Sequence, residues 1–111
     1  MLEVTFYRDA RKRVSSIVAR GHAQAAPHGT DIVCAAASAI LQAAILGLES
    51  HAKVELDSVV RGGDLRVTLP SAARESAAVK AIVATAELGI AQIARQYPKH
   101  VRIRRRSGKT G

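Results

Sequence analysis

His22 and Cys34 are the residues of this 111-residue chain best equipped to do chemistry together. Cys34 is the only cysteine, and it follows His22 by twelve residues in the stretch GHAQAAPHGTDIVCAAASA, Gly21 to Ala39. A cysteine with an ordinary pKa of about 8.5 is only slightly ionised near neutral pH, yet the thiolate is the nucleophile. A helix N-terminus beside the thiol contributes about 0.3–1 kcal/mol, whereas a two-unit shift takes roughly 2.7 kcal/mol. A histidine partner is therefore required, and His22 is placed to be one if the intervening loop folds back. Two other readings stay open on the residues alone. Cys34 can be a small hydrophobe in an alanine-rich helix, with His22 a surface side chain. His22, His28 and Cys34, spaced six and six with Asp31 between, can also hold a metal, although neither spacing matches a common ligand motif. The reading carried forward has no metal and no cofactor.

The neighbours of this pair have their own alternatives. Asp31 can cap the helix by accepting the N–H of Cys34, or orient the imidazole of His22. Ser38, one turn after Cys34, can bond within the site or back to the helix. Gly21 and Gly29 bound the loop and are expected to be its hinges, with residues 23–28 as a lid.

These residues need elements to hold them. Leu2, Val4 and Phe6 alternate with polar residues as in a half-buried strand, and Val14 to Arg20 reads as a second strand paired to it. From about Thr30 to Ser50 the pattern is helical and apolar nearly all round, apart from one line of Asp31, Cys34, Ser38 and Gln42. Val54, Leu56 and Val60 predict a third strand, Arg61-Gly62-Gly63-Asp64 a hairpin turn, and Leu65, Val67 and Leu69 the returning strand. Ser71 is the expected N-cap of a second helix that Pro98 stops, and Val101 with Ile103 suggests a last strand. The order β-β-α-β-β-α-β predicts an α+β fold with two helices packed on a mostly antiparallel sheet.

A chain of this length predicts a single domain, assigned to residues 1–103, followed by a basic, mobile tail over 104–111. The formal net charge is +8, and no acidic residue follows Glu87. Such a tail suits weak contact with a polyanion such as RNA. A single cysteine excludes an intrachain disulfide scaffold and fits a reducing cytoplasm. The N-terminus has no signal-peptide pattern, and Ile32 to Leu48 falls short of the roughly 20 apolar residues of a membrane span, so no membrane partner is expected.

Gly21-His22-Ala23, followed by Gly29, Asp31-Ile32-Val33-Cys34-Ala35-Ala36 and Ser38-Ala39, resembles the motif of the bacterial ribosomal-processing cysteine proteases, the Prp family. The resemblance implies a cysteine endopeptidase with His22 and Cys34 as catalytic pair, a homodimer, and a mobile loop over the peptide. The implied substrate is a short N-terminal extension of a large-subunit ribosomal protein. The loop here reads QAAPH where members of that family often carry acidic residues and an aromatic. The rival reading is a non-catalytic, ribosome-associated RNA-binding module, but the chain has only three aromatics and no stacking motif.

Overall fold

The computed structural model describes residues 1–21, 28–61 and 64–108, with the backbone alone for 28–31. Five strands form one sheet: β1 (Leu2–Arg8), β2 (Val14–Arg20), β3 (Asp57–Arg61), β4 (Asp64–Thr68) and β5 (Val101–Ser107), with the spatial order β3-β4-β2-β1-β5. All neighbours are antiparallel except β1 and β5, which run parallel. That exception follows from α2 (Ala77–Gln96), which carries the chain back across the sheet before β5, as a parallel pair requires. With α1 (His28–Leu46), this is the α+β fold expected from the alternation of apolar residues.

Paired residues share a face, so the register separates the two sides of the sheet. Val4 opposite Ala19 and Phe6 opposite Ile17 point to one side. There they join Val33, Cys34, Ala37 and Leu41 of α1 and Val79, Val83 and Ile90 of α2 in a single core. Aliphatic residues supply nearly all of it, with Phe6 the one fully buried aromatic.

The helices differ from expectation in four respects. First, α1 begins at His28, so Thr30 and Asp31 lie inside its first turn and not at its cap. Second, α1 ends in a π-helical turn, Gly47–His51, closed by the Ala52 N–H donating to the Gly47 carbonyl at 3.0 Å. Third, Ser71 opens only a short 3₁₀ turn, and α2 starts at Ala77 with Ser76 as its cap, accepting from the Val79 N–H at 3.4 Å. Fourth, although α1 is apolar nearly all round, only its inner side meets the core, and Ile32 and Leu46 are 72% and 62% exposed. By length and composition both Ile32–His51 and Ala77–Gln96 are apolar enough to cross a membrane, which the sequence reading did not anticipate. Each lays one side on the sheet, as core helices do.

Two strands also move. β3 starts at Asp57, because Val54 is used to anchor the connection, buried and donating its N–H to the Leu48 carbonyl at 2.9 Å. β5 continues to Ser107, so residues 104–107 belong to the sheet and not to a tail. Residues 104–107 have no apolar side chain to anchor them. The ladder with Thr5 to Arg8 takes that role, helped by Arg104–Glu3 at 2.9 Å and Arg105–Glu87 at 2.6 Å. Residues 109–111 and the hairpin tip at Gly62 and Gly63 lie outside the described residues.

Candidate active site

Cys34 sits in the second turn of α1, on the side that meets the sheet, and is 8% exposed. The helix's free first-turn amides belong to residues 28–31, so neither they nor the dipole acts on the thiol at the range first supposed. His22, the expected partner, lies outside the described residues, as does the loop through Pro27. The side chains of His28 and Asp31, which the metal reading also needs, lie outside them as well.

The start of that loop is well defined. Gly21 ends β2 with φ of 87°, a conformation that side-chain-bearing residues rarely adopt. A Cβ at this position would collide with the Met1 carbonyl oxygen. Its N–H donates to Asp64 Oδ1 at 3.2 Å, which ties the exit of β2 to the β3–β4 hairpin. The chain therefore leaves the sheet from a fixed point, and residues 22–27 connect that point to α1. Gly29, expected as the second hinge, is instead a residue of α1.

Ser38 follows Cys34 by one turn on the same line and is half-buried. It opens a groove of about 350 Å³ between α1 and the sheet. Leu41, Gln42 and Ile45 of α1 form one wall, and Ser58 and Val60 of β3 with Leu65 of β4 form the other. Val60 is 73% exposed, an open apolar rim beside the groove. The lining suits an extended apolar chain, with Cys34 beyond one end of it. The sequence reading missed Ile45, Ser58, Val60 and Leu65 as site residues. The adjacent valines Val59 and Val60 were the available signal, because strict alternation would have made one of them polar.

Titration concentrates at the opposite end of β1. Asp9 is partly desolvated, which raises its pKa. Hydrogen bonds from the Arg13 N–H, the Arg74 guanidinium, the Arg11 N–H and the Arg13 side chain outweigh that and hold it at about 2, against 3.8. Glu87 is raised by burial and lowered more by Arg8, at 2.7 Å, and Arg105, at 2.6 Å, so it too stays below the usual carboxylate range. These groups brace the end of the sheet away from Cys34.

The cysteine protease Prp family pattern matches residues 1–102. SMU.848 from Streptococcus mutans is 28% identical, with a TM-score of 0.85 over 97% of this chain and 96% of that one. The essential ribosomal processing protease Prp from S. aureus, solved in complex with a substrate peptide, is 21% identical, with a TM-score of 0.86 over 95% and 99%. Its complex with a covalently linked product peptide is 22% identical here, with a TM-score of 0.83 over the same shares. No curated protein sequence matches the chain significantly.

Proposed function

The chain belongs to the cysteine protease Prp family, and from that membership we propose that it removes a short N-terminal extension from a large-subunit ribosomal protein. The observation that carries the reading is the family match over nearly the whole chain, with Cys34 one turn from an apolar groove. The peptide lies along that groove with its scissile carbonyl at Cys34. The Cys34 thiolate attacks the carbonyl carbon, and His22 as imidazolium protonates the departing amine nitrogen. A thioester to Cys34 results. Water then attacks it while His22 takes the proton, and the new carboxylate leaves the free thiol. Since α1 starts before Asp31, the orienting role toward His22 is the better assignment for that carboxylate than the cap. Ser38 lines the path between thiol and groove, and Gly21 fixes the point from which the chain leaves β2 toward His22. A non-catalytic RNA-binding module is not favoured, because the matching family is one of proteases.

Two features support the setting. The single cysteine is free, as suits a reducing cytoplasm. The outer side of the helix pair exposes Ile32, Leu46 and Leu88, 62–72% exposed, beside an apolar groove lined by Ile40 and Ile82, a surface that fits a second copy in a homodimer.

The test is to incubate the enzyme with the full-length ribosomal protein encoded in the same genome with its extension, and to measure intact mass. Loss of the extension at one bond is expected. An unchanged mass, with a freely alkylatable Cys34, rejects the ribosomal substrate.

A further inference from the structure

The side of the sheet away from the helices carries an organised set of charges. On β5, Arg102, Arg104 and Arg106 pair with Glu3, Thr5 and Tyr7, so all three point to that side. On β2 the same side holds Arg20 and Val18, which pair with Glu3 and Thr5. On β4 it holds Arg66, opposite Val18 and Val59, and on β3 Arg61, opposite Asp64. Six arginines thus share the face with three carboxylates, Glu3, Asp57 and Asp64. One of those is paired at 2.9 Å to Arg104, and another accepts the Gly21 N–H.

Among the described residues, neither helix supplies a side chain to this face. The sheet residues of the core all belong to the other parity, and Val18, although buried, lies outside that core. The small central residues of this face, Thr5, Ser16 and Val18, are only 6%, 0% and 4% exposed, so the face presents mainly the longer charged side chains around them. Arg20, Arg61 and Arg66 also wall a concavity of about 450 Å³ floored by Val18 and Val59. Alternate residues on a strand are roughly 6.6 Å apart, so Arg102 to Arg106 makes a row about 13 Å long.

Charged edge strands commonly guard against pairing with other sheets, and β5 and β3 are edges. That accounts for neither Arg20 nor Arg66, which lie on interior strands. A second copy is a poor occupant, because an isologous contact would set arginines against arginines. A protein partner of ordinary kind would want an apolar centre, and among the described residues the large exposed apolar side chain of this face is that of Val59. We propose that the open face of the sheet is an RNA-binding surface, on which rows of guanidiniums take the phosphate backbone. Guanidinium pairs with phosphate bidentately, and Tyr7, half-buried beside Arg106, offers an aromatic edge. This surface replaces the basic tail first expected, since Arg104 and Arg106 are strand residues. The face lies on the other side of the sheet from Cys34, so RNA and peptide can bind together. The choice of RNA over another polyanion rests on the ribosomal-substrate reading, but the binding readout below is independent of proteolysis.

The test is fluorescence anisotropy with a labelled single-stranded 20-nucleotide RNA, titrated at several salt concentrations. Three proteins are compared: wild type, the face variant Arg61→Gln/Arg102→Gln/Arg106→Gln, and the equally charged control Lys53→Gln/Lys80→Gln/Arg95→Gln. The face variant should bind roughly tenfold or more weakly, with its salt slope reduced by about 2 for three lost contacts to a single strand. The control should stay within about twofold of wild type. Melting curves and peptide cleavage, unchanged in both variants, would show that the fold is intact. Equal losses in the two variants would overturn the proposal, since net charge alone would then be acting. So would the absence of binding by wild type at low salt, displacement of RNA by polyglutamate at equal charge concentration, or dimer dissociation in the face variant.

Discussion

Cys34 is both a core residue, 8% exposed, and the proposed nucleophile. As a small core residue it should tolerate replacement. Cys34→Ser should keep the fold, yet lose nearly all cleavage, since a hydroxyl is far less acidic than a thiol and His22 is a modest base. With the first-turn amides back along α1 at residues 28–31, the proposed mechanism assigns the activation of Cys34 to His22. Replacement by Ala should slow iodoacetamide labelling of Cys34 at neutral pH, and unchanged labelling would remove His22 from the dyad. Gly21 makes a sharper stability prediction. With φ of 87° and the Met1 carbonyl in the way, Gly21→Ala should destabilise the protein by about 1–3 kcal/mol in urea unfolding. The motif made Gly21, His22, Cys34 and Ser38 visible in the sequence. It did not show that Gly29 is helical or that Asp31 is past the cap, because boundaries depend on where the preceding loop releases the chain.

Strands β1 and β4 were legible because their apolar alternation is uninterrupted, and α1 because its apolar run is too long for a strand. The N-terminus of α2 was not: Ser71 and Ser76 both look like caps, and the chain makes a 3₁₀ turn after Ser71 before Ser76 caps the helix. Ser76→Ala should therefore cost about 1 kcal/mol, and Ser71→Ala much less, by denaturant midpoint. β5 was shortened in the sequence reading because its second half is arginine, whereas its stability comes from backbone pairing and from Glu3 and Glu87. The far end of β1 predicts a pH response. Asp9 and Glu87 have lowered pKa values, so they stabilise the fold above the ordinary carboxylate range and lose that contribution as pH falls. Tm should drop for Asp9 between its ordinary value, 3.8, and about 2. Asp9→Asn should melt lower than wild type at pH 7 and converge with it near pH 2; a constant gap would show that the carboxylate's charge is not what matters.

The proposed tasks use separate surfaces: the groove under α1 for the peptide, the apolar outer side of the helix pair for a second copy, and the arginines of the open face for RNA. The homodimer should be visible at tens of micromolar by ultracentrifugation. Leu46→Glu with Leu88→Glu should shift it to monomer while leaving the monomer folded, since both side chains are exposed, at 62% and 70%. The central claim, that the chain is a cysteine endopeptidase acting through Cys34, is met most directly by one comparison. Wild type and Cys34→Ala, matched for fold by circular dichroism, are incubated with a peptide spanning the extension and the first mature residues of the ribosomal protein, and products are read by mass spectrometry. Wild type should cut one bond, and Cys34→Ala should leave the peptide whole. Cleavage at that bond by Cys34→Ala would contradict the account.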